Sequence, residues 1–247
     1  MTHYKASLSN FQASRDAIAK TLLIAVFAIA GVQKLFAICS LIWWNENGLS
    51  GEDRAVHVCA HASALAFIVL LIAFTSVRPS PYRSANGIET RISAIAGTFL
   101  ACTLGLLAPA ELPPWIGLCA IALSGLSTAL SAYVLLWLGR SFSITAQARN
   151  LVTTGPYGLV RHPLYLCEEI MVLALTILFF SPVAMLIAAI HWAFQLRRMR
   201  HEETLLRAVF EEYADYAART PMVLPRVCGG RFGSMATFLN TQLFSRA

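Results

Sequence analysis

Charged residues are scarce in this chain. Of its 247 residues only 13% are Asp, Glu, Lys or Arg, against about a quarter in soluble domains, and 57% are hydrophobic. Such a composition excludes a disordered chain and an ordinary cytosolic domain. The net charge of +6 comes from basic residues that flank apolar segments, so we expect no nucleic-acid partner. Composition therefore predicts a polytopic membrane protein.

Cysteine pairs are also lacking. The six cysteines form no CxxC motif and most lie in apolar runs, so neither a disulfide framework nor a zinc site is expected. His57 and His61 are spaced i, i+4, which would place two metal ligands on one helix face. No third ligand is evident near them in sequence. We therefore expect no bound metal.

Apolar segments recur along most of the chain. About six of them are candidates for crossing a bilayer, which takes about 20 apolar residues. The last two are shorter and are joined only by Ser181 and Pro182, which predicts a helical hairpin. Amphipathic spacing from Leu205 to Tyr216 predicts a cytoplasmic helix after the hairpin. The predicted fold is thus all-α, a polytopic membrane protein with about six transmembrane helices. The predicted spans are 17–44, 55–77, 88–108, 115–138, 164–180 and 183–196.

Basic residues lie in alternate loops. They cluster before the first span, between the second and third, after the fourth, and after the sixth. The positive-inside rule then places both termini and these loops in the cytoplasm, and we expect a bacterial inner membrane. For three of the charged residues inside the predicted spans, the role is left open. They are Lys34, Glu168 and Glu169.

Two stretches rich in polar residues, 150–165 and 197–203, lie on the side of the membrane that the positive-inside rule predicts to be cytoplasmic. In the first, Pro163 suits the first position of span five, so the segment before it delivers His162 to the mouth of the hairpin. In the second, Arg198 and Glu202 share a helix face at i, i+4. Because the hairpin is short, the two stretches are expected to meet at one site.

At these residues the sequence resembles the isoprenylcysteine carboxyl methyltransferase family, integral membrane enzymes that use S-adenosylmethionine. The resemblance covers about 141–225. It is carried by four motifs in the family's order: Leu-Val-Thr-Thr-Gly-Pro-Tyr at 151–157, Arg-His-Pro-Leu-Tyr at 161–165, the Glu202–Glu203 pair, and Glu212-Tyr213 followed by Tyr216, Pro221 and Leu224-Pro225.

The resemblance implies a cytosolic pocket for S-adenosylmethionine, capped by the C-terminal helix, and a lipid-like or prenylated substrate that enters from the membrane lipids. Arg198 would hold the substrate, and Arg198 with Glu202 would form the catalytic pair. The family usually has a histidine where this chain has Arg149, which we include among the cofactor residues. The cofactor residues implied are Arg149, Leu151, Val152, Tyr157, His162, Pro163, Leu164, Tyr165 and Glu202.

The implied reaction is methyl transfer to a carboxylate. A carboxylate is ionised at neutral pH and needs no general base, whereas an amine acceptor would need His162 or Glu202 as a base. A phospholipid amine or a small thiol stays open as the acceptor. Two rival classes stay open: a sterol-reductase-like NADPH enzyme, and a non-catalytic membrane protein that retains the fold. Reductases of that family usually have Asn before the motif tyrosine and Gly-Asp after it, where this chain has Leu164 before Tyr165 and Cys167-Glu168 after it.

We divide the chain into four predicted regions. These are an N-terminal cytoplasmic flank at 1–16, transmembrane helices one to four at 17–138, a methyltransferase region at 139–225 with the cofactor loop, the hairpin and the cytoplasmic helix, and a C-terminal tail at 226–247.

Overall fold

The computed structural model describes residues 2–44, 50–79, 82–85, 87–144 and 146–225, with side chains given from residue 17 on apart from Ala19. This part of the chain is mostly helical, and the predicted tail at 226–247 lies outside it. A two-residue antiparallel ladder joins β1 (Arg83–Ser84) to β2 (Gln147–Ala148). The described helices are α1 (Thr2–Trp43), α2 (Gly51–Val77), α3 (Ile88–Phe99), α4 (Pro114–Leu138), α5 (Pro163–Leu178), α6 (Pro182–Val209) and α7 (Tyr213–Arg219).

Three described stretches are long and apolar enough to cross a membrane: Lys20–Trp43, Gly51–Val77 and Pro114–Ser141. In the most apolar windows of the first two only 11% of residues are buried within the protein, and 33% in the third. Apolar surface on this scale needs a lipid environment rather than water. The prediction of a membrane protein with long apolar helices is supported, while the orientation of the termini stays a prediction.

The third, fifth and sixth predicted spans form shorter or more polar helices. The third is α3 followed by a 3-10 turn at Leu100–Leu106, α5 has 16 residues, and α6 has 28 residues but ends in a charged stretch. The count of six spans therefore stays a prediction.

The helices pack in a defined order. Helix α2 lies between α1 and α4, α4 packs on α5, and α3 with its 3-10 turn packs on α6. The α2–α4 crossing is close because Gly125 lies directly against the backbone of Ala60, where a methyl group on Gly125 would come within 2.9 Å of the Ala60 Cα.

Helices α5 and α6 follow one another with only 179–181 between them. The Ser181 side chain accepts a hydrogen bond from the Ala184 N–H at 3.1 Å, and Pro182 occupies the first turn, so α6 begins with a side-chain cap and a suitable proline. The beginning of α5 and the polar part of α6 are consequently neighbours.

The separate amphipathic helix predicted from Leu205 is not found in that form. Helix α6 runs without a break from the apolar segment through 197–203 to Val209, and α7 follows after Phe210. Arg, Glu, Met and Leu are all good helix formers, so the charged stretch extends the helix instead of ending it. The chain turns at Phe210, whose φ of −114° and ψ of 114° are extended.

Candidate functional site

A polar cleft opens where the start of α5 meets the charged end of α6. The open space within it, counted out to the surrounding solvent, is about 830 Å³. It is lined by the loop before α5 and by α5, α6 and α7. The lining residues are Leu138, Ser141, Phe142, Ser143, Gln147, Arg149, Asn150, Leu151, Val152, Tyr157, Arg161, His162, Leu164, Tyr165, Arg198, Glu202, Leu205, Leu206, Tyr213 and Tyr216.

Three of these side chains form the centre of the cleft. The Tyr165 hydroxyl donates a hydrogen bond to Glu202 Oε1 at 2.5 Å. The Arg198 guanidinium lies 4.8 Å from the centre of the Tyr165 ring, and its Nε is 4.0 Å from the same Glu202 oxygen. Arg198 is 5% exposed, while the Glu202 side chain keeps 22% exposure. Glu202 therefore presents its carboxylate to the cleft while Arg198 lies behind it.

A second group of charges holds the segment before α5 against α6. His162 Nε2 lies 3.2 Å from Glu203 Oε1, and Arg161 Nη1 donates to Glu203 Oε2 at 2.9 Å. Arg207 Nη2 lies 3.6 Å from the same Oε2 atom of Glu203. Burial alone would raise the pKa of Glu203, but the His162 hydrogen bond and the charges of His162, Arg161 and Arg207 outweigh it and lower that pKa.

His162 connects the two acidic residues. Its Nδ1 lies 4.0 Å from Glu202 Oε2, opposite the nitrogen that faces Glu203. The ring is 5% exposed and packs at a tilt against Tyr165, with the ring centres 5.5 Å apart. The residue before Pro163 is thus fixed on both sides, which orients the first turn of α5.

The chain after α7 closes over this segment. The backbone N–H of Arg161 donates to the Pro221 carbonyl at 2.9 Å, and that of His162 donates to the Met222 carbonyl at 3.0 Å. The Tyr216 hydroxyl donates to the Tyr157 carbonyl at 2.6 Å. Burial, as the largest cause, raises the pKa of Tyr216 to about 12, so this hydroxyl stays protonated as a donor.

The loop that carries Leu151 to Tyr157 turns at Gly155, whose φ is +62°. A methyl group there would approach the Trp137 ring to 2.6 Å, so both the left-handed backbone and the close contact require glycine. Tyr157 follows in a 3-10 turn at Gly155–Gly158 and is buried. The pKa of Tyr157 is strongly raised by burial and by the nearby carboxylates.

Nearly all residues proposed for the site line this cleft. They are Arg149, Leu151, Val152, Tyr157, His162, Leu164, Tyr165, Arg198 and Glu202. Pro163 is buried at the first position of α5 and is not among the lining residues. Its fixed φ suits a helix start, and a contact of Pro163 with a cofactor stays a prediction.

Arg149 lines the cleft but directs its donors elsewhere. Its Nε donates to the Pro79 carbonyl at 2.9 Å and its Nη2 donates to Gln147 Oε1 at 2.6 Å. At 2% exposure it ties the β2 segment to the chain that follows α2. A direct contact of Arg149 with a cofactor stays a prediction.

The sequence interpretation missed Thr98 and Gln195. Arg198 Nη1 donates to Thr98 Oγ1 of α3 at 3.3 Å, and Gln195 Nε2 donates to Glu168 Oε2 at 2.8 Å. Thr98 lies 100 residues from Arg198 in sequence, so no local spacing predicts that contact. Gln195 lies three residues before Arg198, one turn away on α6. That spacing places the two residues on one helix face, so it could have predicted Gln195 as a neighbour of the site.

Within the ranges that the structure describes, no group of three His, Cys, Asp or Glu side chains is arranged to hold a metal ion. Apolar helices around a polar cleft at their ends instead define a helical membrane protein with a candidate small-molecule site. Residues 118–208 match the model of the Isoprenylcysteine carboxyl methyltransferase (ICMT) family. The predicted family resemblance is thereby confirmed over a range that includes α5 and nearly all of α6.

Three relatives are similar over about half of the chain. The Nickel-cobalt-cadmium resistance protein NccN of Alcaligenes xylosoxydans xylosoxydans is 33% identical over 51% of this chain and 58% of its own length. The Cobalt-zinc-cadmium resistance protein CzcN of Cupriavidus metallidurans is 34% identical over 46% and 52%. The Protein-S-isoprenylcysteine O-methyltransferase B of Arabidopsis thaliana is 30% identical over 46% and 61%. The matches thus span between 52% and 61% of the relatives' lengths.

Proposed function

We propose that this protein is a membrane methyltransferase that uses S-adenosylmethionine and transfers a methyl group to the carboxylate of a lipid-like substrate. The carrying observation is the convergence of Tyr165, Arg198 and Glu202 in one cleft at the helix ends. The family match over 118–208 and the similarity to a named isoprenylcysteine methyltransferase support the class of reaction.

The cleft suits the proposed cofactor. S-adenosylmethionine carries a positively charged sulfur, an amino acid group and a nucleoside. Glu202 offers a partly exposed carboxylate to a positive charge, and the Tyr157, Tyr213 and Tyr216 side chains offer aromatic surface. Gln147 and Asn150 offer amide donors and acceptors at the same wall. This set of side chains fits the group that the family uses.

The reaction needs positioning more than proton transfer. When bound, S-adenosylmethionine supplies a methyl group on a positively charged sulfur. Arg198, which reaches the cleft from behind Tyr165, would hold an acceptor carboxylate with its guanidinium fork. Glu202 would bind positive or hydroxyl groups of the cofactor, and its hydrogen bond from Tyr165 fixes its orientation. Buried walls exclude water and strengthen these charge interactions.

The chemical class of the molecule that accepts the methyl group is a more specific part of the proposal. A buried arginine favours a carboxylate over an amine, because two cations would repel in a site of low polarity. The apolar faces of the neighbouring helices favour an acceptor with a lipid-like tail. The two metal resistance relatives carry names that state no reaction, so they add nothing to the choice of acceptor.

The test is a titration followed by a transfer assay. Protein purified in detergent is titrated with S-adenosylmethionine and, separately, with NADPH, and only the first is expected to bind. Labelled donor is then supplied with N-acetyl-S-farnesylcysteine, and a base-labile labelled methyl ester is the expected product. Binding of NADPH alone would replace the proposal with a reductase, and labelling of an amine or thiol would replace the acceptor.

The matched pair for the acceptor role is Arg198→Ala and Arg197→Ala. Arg197 is the neighbouring residue, 59% exposed and 3.9 Å from Glu89. Arg198→Ala is expected to abolish transfer while leaving cofactor binding less affected, and Arg197→Ala to retain transfer. Normal turnover of Arg198→Ala would remove Arg198 from the mechanism.

A further inference from the structure

Two buried polar atoms in the wall of the cleft lack a hydrogen-bond partner among the described residues. They are the hydroxyl oxygen of Tyr213 and the Nε of Arg161. Both residues line the cleft, Tyr213 is 1% exposed, and the Arg161 side chain is 10% exposed. Because a buried polar group without a partner costs free energy, two of them in the wall of one cleft indicate a ligand that supplies the missing partner.

The charges around Arg161 do not balance. Its Nη1 donates to Glu203 Oε2 at 2.9 Å, and Arg207 Nη2 lies 3.6 Å from the same oxygen. Within the part of the chain that the structure describes, no second carboxylate lies within 4.0 Å of either guanidinium. His162, on the other oxygen of Glu203, adds no negative charge. One carboxylate therefore faces two guanidinium groups, and positive charge is left over at the wall that Arg161 contributes to the cleft.

Packing fixes Tyr213 beside these arginines. The Arg207 guanidinium lies 5.8 Å from the centre of the Tyr213 ring. The Tyr216 ring packs edge-on against Tyr213 with the ring centres 5.7 Å apart, and its own hydroxyl is held by the Tyr157 carbonyl. Burial, as the largest cause, raises the pKa of Tyr213, so its hydroxyl stays protonated and can donate. Arg207, which contacts both Tyr213 and Glu203, thus links this hydroxyl-bearing ring to the surroundings of Arg161.

Two donors beside unbalanced positive charge favour a carboxylate as the group that binds there. A guanidinium and a phenol both donate to oxygen, and a hydrogen bond to a charged oxygen is stronger than one to a neutral oxygen. In S-adenosylmethionine the adenine and the ribose are neutral, and the amino and sulfonium groups are positive. The carboxylate of its amino acid group is the one anionic group of that molecule.

A nearby acidic side chain suits the rest of that amino acid group. His162 has Glu202 at 4.0 Å from its Nδ1 and Glu203 at 3.2 Å from its Nε2, and Glu203 in turn binds Arg161. Glu202 and Arg161 both line the cleft. The cleft therefore presents an acidic and a basic side chain on either side of one histidine, which suits an amino group and a carboxylate carried by the same ligand.

We propose that Arg161 and Tyr213 form a carboxylate-binding site in the cleft, and that this site takes the amino acid carboxylate of S-adenosylmethionine. The identity of the ligand rests on the proposed function. The two residues bind one end of the methyl donor and so orient its sulfonium group, and neither takes part in the transfer itself.

The first test measures thermal unfolding in detergent and needs no ligand. Tyr213→Phe removes a buried hydroxyl that has no partner in the fold, so Tm should stay the same or rise. The control is Tyr216→Phe, which takes the donor away from the Tyr157 carbonyl and should lower Tm. A lowered Tm for Tyr213→Phe would show that the fold itself uses this hydroxyl, and the assignment would be overturned.

The second test compares two ligands by calorimetric titration: S-adenosylmethionine and its decarboxylated analogue, which lacks only the carboxylate. The unaltered protein is expected to bind the analogue at least about tenfold more weakly. Tyr213→Phe should raise the Kd for S-adenosylmethionine about five- to tenfold and leave the Kd for the analogue unchanged. A structural role of the hydroxyl would weaken both ligands by the same factor.

Arg161→Lys and Arg207→Lys form a matched pair for the same titrations. Both variants keep the positive charge beside Glu203, but only Arg161 lines the cleft, and the Arg207 side chain is 48% exposed. Arg161→Lys loses the Nε donor and should raise the Kd for S-adenosylmethionine about fivefold, with no change for the decarboxylated analogue. Arg207→Lys should leave both Kd values unchanged. Equal effects of the two variants would mean that Arg161 acts through Glu203, against the proposal.

The titrations separate failure of this inference from failure of the proposed function. Equal affinity of the unaltered protein for the two ligands, or an equal loss of both in Tyr213→Phe, would overturn the carboxylate site while the proposed function stands. If the unaltered protein binds neither ligand, the proposed function fails and the assignment of the ligand fails with it.

Discussion

The Tyr165 hydroxyl and the Glu202 carboxylate are joined by a hydrogen bond of 2.5 Å that connects the first turn of α5 to the charged end of α6. The two residues are 37 positions apart in sequence. Their contact is possible because only residues 179–181 separate the two helices. Helix α6 therefore runs back beside α5, and its charged end lies next to the first turn of α5. This hydrogen bond is one of the contacts that join the two walls of the polar cleft.

Removing the Tyr165 hydroxyl tests that connection. Tyr165→Phe keeps the ring beside Arg198 and removes the donor to Glu202. Loss of a hydrogen bond to a charged group costs about 1.5–3 kcal/mol, part of which should appear as a Kd for S-adenosylmethionine raised at least about fivefold. Calorimetric titration in detergent measures it. The control is Tyr133→Phe on α4, a tyrosine that is 51% exposed, and equal affinities of both variants would contradict the prediction.

Glu203 predicts a pH dependence of stability. Its pKa lies below the ordinary value of 4.5 in the folded protein, because the bonds from His162 and the charges of Arg161 and Arg207 outweigh burial. Its contribution is therefore fully present above pH 4.5 and is lost as the pH falls below that value through the lowered pKa. Tm measured between pH 6 and 3 should fall less steeply in Glu203→Gln than in the unaltered protein. An unchanged slope would show that Glu203 does not carry this dependence.

Much of the cleft could be predicted from the sequence because its determinants are local. Pro163 marks a helix start, the i, i+4 spacing puts Arg198 and Glu202 on one face, and the short hairpin brings the two polar stretches together. Each of these rules follows from the geometry of the chain itself and requires no knowledge of how distant helices pack.

Other features depend on packing between distant elements, and sequence spacing does not reveal them. The contact of Thr98 with Arg198 exists because α3 packs on α6. The inward direction of Arg149, toward the Pro79 carbonyl, follows from the pairing of β1 with β2. Arg198 and Glu202 are predicted on one helix face, but the segment from Leu205 is predicted as a separate helix because its amphipathic spacing differs from the apolar pattern before it, so the continuity of α6 to Val209 is not predicted.

The turn at Gly155 predicts a localised effect on the cleft. Gly155→Ala places a β-carbon in a left-handed conformation, which costs about 1–2 kcal/mol, and brings it within 2.6 Å of the Trp137 ring. The loop that carries Leu151 to Tyr157 must then shift. We expect a lower Tm and weaker binding of S-adenosylmethionine. Gly158→Ala in the same turn meets its nearest atom at an ordinary 3.5 Å, so a comparable loss there would contradict the explanation.

The close crossing of α2 and α4 gives a prediction that concerns the fold alone. A methyl group on Gly125 would lie 2.9 Å from the Cα of Ala60, and backbone atoms cannot move aside as a flexible side chain can. Gly125→Ala should force the two helices apart and lower stability by about 1–3 kcal/mol, although alanine is the better helix former. Gly117→Ala, on the same helix with nothing within 4 Å, should instead be neutral or slightly stabilising. Thermal unfolding of both variants in one detergent separates the two effects, and a stabilised Gly125→Ala would show that the helices do not cross this closely.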